Sequence, residues 1–161
     1  MVRPLGRRVF ISYQHENIKQ AQGFNLLRWN QNVEFEFVGR YLFGKINSEN
    51  EYYIKSKIRE QMKGTSCTVV LIGKNTHQSE WVKWEIEEST SQGKAVIGIF
   101  LPGCEKEKIP EALRENGCKV MEWDPHQFGE AIEEECLIAG RPPLGPPAPS
   151  YRKPERICIR E

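Results

Sequence analysis

In this chain of 161 residues, 23 basic and 22 acidic side chains are interspersed and leave a net charge of +1. With no basic stripe interleaved with aromatics, this speaks against nucleic-acid binding. The length suits one domain, enough to remove roughly two-thirds of the unfolded surface from water. No run approaches the roughly 18–20 apolar residues of a membrane span. Nor does an apolar stretch with a small-residue cleavage site follow Met1, so the chain is expected in the cytoplasm, away from membranes.

The first strong element is Arg8-Val9-Phe10-Ile11-Ser12-Tyr13, a short β-prone run suited to a strand covered on both faces. Polar residues Gln14 to Asn17 follow, then Ile18, Ala21, Phe24, Leu27 and Trp29 at helical spacing, which predict a first helix to about Asn30. Val33 to Val38 alternates apolar and charged residues, the pattern of a half-exposed edge strand. A mixed loop covers Arg40 to Asn47. Ser48-Glu49-Asn50-Glu51 then reads as a capping box opening a second helix, with Gly64 as a plausible C-cap.

Cys67 to Gly73 is the most β-branched run and predicts the central strand. A turn over Lys74 to Ser79 leads to a helix from about Glu80 to Gln92, and Lys94 to Leu101 forms the next buried strand. Residues 104–117 read as a loop with a short helix. Cys118 to Trp123 is a last strand, and Asp124-Pro125 supplies an N-cap residue and a proline at the first position of a final helix, to about Leu137 or Ile138. Beyond it, the proline-rich segment 139–161 reads as an extended tail.

Strand and helix alternate five times, which predicts a doubly wound, flavodoxin-like three-layer sandwich with a five-stranded, mainly parallel sheet over residues 7–138. Ligands in such sheets bind beyond the carboxyl ends of the strands, where strand order reverses, which directs attention to Tyr13 to Asn17, Gly39 to Asn47, Gly73 to Ser79, Leu101 onward and Asp124. The turn after the first strand, Ser12 to Asn17, contains no glycine, so it is neither a G-x-G-x-x-G dinucleotide loop nor a P-loop, and it lacks a hydroxyl-rich flavin-phosphate loop. The central strand ends in Gly73-Lys74, without the aspartate of a phospho-acceptor domain.

The five cysteines, Cys67, Cys104, Cys118, Cys136 and Cys158, are odd in number and widely spaced, so neither a disulfide framework nor a zinc site is expected. His15, His77 and His126 lie in three separate loop-like places, and no metal site is read from them.

Val9-Phe10-Ile11-Ser12-Tyr13, Cys67 to Gly73 and Trp81-Val82-Lys83-Trp84-Glu85-Ile86 together resemble the TIR-like proteins of bacterial Thoeris antiphage defence, the ThsB type. The resemblance spans roughly residues 7–101. It implies an NAD glycohydrolase or ADP-ribosyl cyclase with NAD as substrate and no further cofactor. Such an enzyme releases nicotinamide and makes a cyclic ADP-ribose isomer, a second messenger for a separate effector protein. By position the catalytic carboxylate is Glu85, four residues after Trp81. Ser12, Tyr13, Trp81 and Arg40 are the candidate substrate contacts, Arg40 through the pyrophosphate.

One carboxylate suffices for this chemistry. Most glycosidases need a second to protonate the leaving group, but the nicotinamide of NAD is already cationic and leaves neutral. On the helix from Glu80, Val82, Ile86 and Ser89 share one face, and Trp81, Glu85 and Glu88 form the adjacent stripe. That placement predicts less than about 0.5 kcal/mol of stability change for Glu85→Gln. The alternative for Glu85, Glu87 and Glu88 is a solvated acidic face. For the tryptophans it is a cover on the helix–sheet seam. The rival functions are a non-catalytic interaction module, possible as a homo-oligomer, and a simple NAD hydrolase or deoxyribosyltransferase-like activity.

Overall fold

The computed structural model describes residues 7–30, 35–39 and 50–140. Ten regular elements follow in order: β1 (Arg7–Tyr13), α1 (Ile18–Asn30), β2 (Phe35–Gly39), α2 (Glu51–Met62), β3 (Cys67–Ile72), α3 (Glu80–Ser91), β4 (Ala95–Phe100), α4 (Glu111–Glu115), β5 (Lys119–Met121) and α5 (Pro125–Ile138). Short 3-10 turns over His15–Asn17 and Thr76–Gln78 precede α1 and α3. The strands lie in the order β2-β1-β3-β4-β5, and every pairing is parallel. The chain is therefore α/β with a parallel sheet. Its order reverses between β1 and β3, which is where a doubly wound sheet opens its ligand crevice.

Strand periodicity divides the core. Val9, Ile11 and Tyr13 of β1, with Val69 and Leu71 of β3 and Ile97 and Ile99 of β4, face α1 and α5, where Phe24, Phe128 and Ile132 close the layer. Phe24, Trp123 and Phe128 meet there as tilted and edge-to-face rings 5.1–6.0 Å apart. The alternate residues face the other helices. Val70, Ile72 and Val96 pack on Val82 and Ile86 of α3 and on Ala112 and Leu113 of α4. Phe10 packs on Ile58 and Met62 of α2. All six residues of β3 are buried, as a strand covered on both faces requires.

The α2–α3 layer is also tied by polar contacts. Thr68 and Ser89 share a buried hydroxyl–hydroxyl bond of 2.6 Å between β3 and α3. The Lys94 ammonium, 7% exposed, donates to the Met62 carbonyl at the end of α2 and to Thr65 Oγ1 at 2.9 Å, joining the Thr65 N–H and hydroxyl on that carbonyl and placing a cation at a helix C-terminus. On the outside of the layer, Arg59 of α2 reaches Glu88 of α3 at 3.2 Å.

Two expected caps differ. The second helix opens at Asn50, whose side chain accepts from the Tyr53 N–H at 3.1 Å. The expected Ser48–Glu51 capping box is replaced by this cap two residues later, and Ser48 lies outside the described residues. Asn is as good an N-cap as Ser, and in the helix it opens Ile58 and Met62 are buried with Ile54 packed against them. Asp124 holds the cap position of α5, but its carboxylate makes no capping bond; its carbonyl takes the Gln127 N–H at 2.9 Å. No helix among the described residues is long and apolar enough to cross a membrane.

Gly98 shows how closely the α3–α4 face is packed. A Cβ there would come 2.8 Å from Leu113 Cδ1 and 3.1 Å from Ile72 Cδ1. Overpacking of this kind costs about 1–3 kcal/mol. Gly98→Ala is therefore expected to lower the unfolding free energy by about that amount in a urea titration, and in a double-mutant cycle with Leu113→Ala the combined loss should be smaller than the sum of the two single losses. An unchanged midpoint for Gly98→Ala would show that the face is looser than its geometry indicates.

Candidate active site

Ser12 is the last but one residue of β1 and lies on the α2–α3 face, because its neighbours Ile11 and Tyr13 face the opposite layer. A hydroxyl enclosed at a strand end needs a partner, since burying it unpaired is costly. Its partner is Glu85, from the second turn of α3. Ser12 Oγ donates to Glu85 Oε1 at 2.5 Å, and both residues are fully buried.

Two features aim Glu85 at this point. The first is the start of α3, fixed by Ser79, whose hydroxyl accepts from the Val82 N–H at 3.1 Å. The second is the seating of Val82, Ile86 and Ser89 against the sheet. Glu85 lies within this inward arc, so it is buried with them. The expected surface stripe is corrected here: Glu87 is exposed and Glu88 half-buried, but Glu85 is enclosed. The sub-0.5 kcal/mol expectation for Glu85→Gln was built on exposure and no longer applies.

Trp81 stands one turn before Glu85. Trp81 and Trp84 are half-buried, meet edge to face with centroids 6.1 Å apart, and pack on the cluster of Phe10, Ile58 and Met62. Trp84 also lies under two cations of α2, with Lys55 Nζ 5.4 Å and the Arg59 guanidinium 5.2 Å from the ring centre. The two tryptophans line a cleft of about 350 Å³ with Glu51, Lys55, Glu80, Lys83 and Glu87, within the size range of small-molecule sites. Glu85 does not line it.

The other candidates are placed differently. Tyr13 is 2% exposed and belongs to the α1–α5 core, on the face of the sheet opposite Glu85. The structure therefore brings Ser12, Trp81 and Glu85 to one layer and leaves Tyr13 out of it. Arg40 lies outside the described residues.

The loops that follow β1 and β3 meet above the switch point. Asn75 Nδ2 donates to both carboxylate oxygens of Glu16, at 3.1 and 3.2 Å. Thr76 Oγ1 accepts from the Gly73 N–H at 2.7 Å. Asn17, buried at the end of the first loop, lies against Gly73, where a Cβ would come 2.6 Å from Asn17 Oδ1. Sequence reasoning singled out neither Asn17 nor Gly73 as a site residue. A polar residue preceding α1 and a glycine ending β3 carry no local mark of their meeting.

Among the described residues, no group of three or more His, Cys, Asp or Glu side chains converges as a metal site would need. Burial, then Glu135, pushes the Cys118 thiol up, and burial, then Glu107 and Glu105, pushes up that of Cys104. Both thiols are therefore poor nucleophiles near neutral pH.

The family model for "Thoeris protein ThsB, TIR-like domain" matches residues 10–106, which take in Ser12, Trp81 and Glu85. The chain belongs to the ThsB TIR-like family. Over 102 residues it is 28% identical to a protein of Bacillus cereus (strain MSX-D12) described as "Putative cyclic ADP-D-ribose synthase ThsB1". The match covers 60% of this chain and 53% of that protein, so the chain spans about half the length of the curated relative it matches. Among solved structures, the interleukin-17 receptor B SEFIR domain aligns with a TM-score of 0.49 at 14% identity, over 84% of this chain and 98% of that one.

The Ser12–Glu85 bond has a measurable weight. Removing one partner of a buried bond to a carboxylate costs about 1–3 kcal/mol, whereas a surface hydroxyl is worth less than about 0.5 kcal/mol. Ser12→Ala is expected to fall in the first class. Ser91→Ala, which deletes an exposed hydroxyl bonded to the Glu88 carbonyl, should fall in the second. Equal denaturation midpoints for the two variants would mean that the Ser12–Glu85 bond adds nothing to stability.

Proposed function

We propose that this protein cleaves the nicotinamide–ribose bond of NAD and closes the ADP-ribose into a cyclic isomer that signals to a separate effector protein in antiphage defence. The observation that carries this reading is the buried Ser12–Glu85 pair beside the switch point of the sheet, in a chain of the ThsB TIR-like family. The relative described as a cyclic ADP-D-ribose synthase supports the choice of product class.

The C–N bond breaks with its electron pair passing to the pyridinium nitrogen, so nicotinamide departs as a neutral molecule and needs no acid. Positive charge grows on the ribose. A fixed carboxylate beside it, in a site closed to water, stabilises that charge far more than a solvated one does. Glu85 takes this role, and the Ser12 hydroxyl holds its Oε1 so that no reorganisation is needed as charge develops. An oxygen or nitrogen of the same molecule then attacks the ribose carbon and loses its proton to solvent, giving the cyclic product; attack by water gives linear ADP-ribose. Trp81, one turn before Glu85, is half-buried against Phe10, Ile58 and Met62 and borders the layer that holds the pair. Because Ser12 and Glu85 are enclosed, substrate entry requires a conformational step before chemistry.

A second reading is a TIR-like interaction module without catalysis. It is favoured by the cleft, which is lined by Trp81, Trp84 and charged residues of α2 and α3 and not by Glu85, and by Tyr52 and Tyr53 of α2, 78% and 46% exposed. Aromatic residues on a surface of mixed charge are what protein contacts use.

Mass spectrometry separates the two. Incubated with NAD, the purified protein, or lysate of phage-infected cells expressing it, is expected to yield nicotinamide and a cyclic ADP-ribose isomer. The Glu85→Gln variant, verified as folded, should lose at least about a hundredfold in rate, the weight of one preorganised electrostatic group. Nicotinamide with only linear ADP-ribose identifies a hydrolase. Intact NAD in every sample, infected cells included, leaves the interaction module.

A further inference from the structure

The outer face of α5 has a composition that the candidate active site does not explain. Glu130, Glu133, Glu134, Leu137 and Ile138 recur at i, i+3, i+4, i+7 and i+8, which is one stripe of a helix. The opposite stripe, Phe128, Ala131, Ile132 and Cys136, is buried in the core against the sheet. Leu137 and Ile138, side by side at the end of the outer stripe, are 57% and 73% exposed.

The charges of this stripe are set against the helix. Glu133, Glu134 and Glu135 stand in the last two turns of α5, and its last turn carries no basic residue. A helix C-terminus is the negative end of the helix dipole and favours cations. Lys119 of β5 reaches Glu134 at 3.7 Å, with both side chains exposed.

α5 ends at Gly140, whose φ of +76° and N–H bond to the Leu137 carbonyl at 3.0 Å form a left-handed cap. In such caps the residue after the glycine commonly touches the last turn. Segment 141–161 starts there. It lies outside the described residues, and its sequence complements the stripe. Arg141, Arg152, Lys153, Arg156 and Arg160 outweigh Glu155 and Glu161, and Leu144, Ile157 and Ile159 stand among the prolines and cations. Glu130 is about 15 Å back along the helix from Gly140 at 1.5 Å per residue, whereas the chain from Gly140 to Arg152 spans up to about 37 Å at 3.1 Å per residue. An exposed ion pair is worth under about 1 kcal/mol, but a short tether raises the effective concentration to the millimolar range, where weak contacts suffice.

We propose that segment 141–161 docks on the outer face of α5, with its cations at Glu130 and Glu134 and its apolar side chains over Leu137 and Ile138. The face is an acceptor for a basic peptide with apolar residues, and this chain carries its own. The proposal is independent of the NAD reading.

Nuclear magnetic resonance on the full chain tests it. In the wild-type protein the amides from Tyr151 to Ile159 are expected to show order parameters above about 0.6, the value below which backbone counts as flexible. Glu130→Lys with Glu134→Lys should bring them below it, and Arg152→Glu with Lys153→Glu, added to that variant, should restore them. Methyl contacts from Leu137 and Ile138 to the segment are expected in the wild type, and the order should persist on dilution. Order parameters under about 0.6 in the wild type, or order that survives charge reversal in a folded variant or fails to return in the charge swap, overturn the proposal. Absence of the methyl contacts overturns it whether or not the variants fold. Order that is lost on dilution also overturns it, and assigns the α5 face to a second copy of the chain.

Discussion

A hydrogen bond between one serine and one glutamate joins the two halves of this molecule that matter for its chemistry. Ser12 lies on β1, the strand about which the sheet order turns, and Glu85 lies on the helix that leaves β3. Neither could be buried alone: an enclosed hydroxyl and an enclosed carboxyl each need a partner. Their pairing therefore fixes the rotation of α3 about its axis and its height over the sheet. Val82, Ile86 and the Thr68–Ser89 bond hold the same setting along the length of the helix. The result is a carboxylate held by the core itself, and a group that must not reorganise as charge develops is best built in this way.

The same setting explains the outer surface of the layer. With Glu85 turned inward, Trp81 and Trp84 fall toward α2, where Lys55 and Arg59 cover Trp84 and Arg59 also reaches Glu88. The cleft between α2 and α3 is thus a consequence of how α3 is seated.

Much of this was legible in the sequence, because the signals were local. β3 was readable from its unbroken β-branched run, α3 from the Val82–Ile86–Ser89 spacing, and the parallel sheet from strand–helix alternation, whereas the strand order that sets the switch point was not. The side of α3 that holds Glu85 was not. A helical wheel places Glu85 between the buried and exposed arcs, and charge argues for the exposed one; only the fold brings a buried hydroxyl to meet it. A clue was present: Ser12 sits in a strand covered on both faces, where a polar side chain implies a partner across the layer. Strand parity also separates Ser12 from Tyr13, which adjacency in sequence had grouped together. The cap of α2 was misplaced by two residues because Ser and Asn cap about equally well and two such residues stand close together in the sequence.

The enclosure of Glu85 bears on how such a protein is kept in check. On the NAD-cleaving reading proposed above, a carboxylate with no exposure cannot touch a ribose, so that reading requires a change in what encloses Glu85 before turnover. The energy for that change has to come from differential binding to the open form, whether by substrate, by another molecule at the Trp81–Trp84 cleft, or by a second protein. The Ser12–Glu85 bond need not break in the process. Opening that moves the cover and leaves the pair intact retains the preorganised carboxylate, whereas opening that swings α3 away would discard it. The ties of Thr68 to Ser89 and of Arg59 to Glu88 favour the first, because they hold α3 to β3 and to α2.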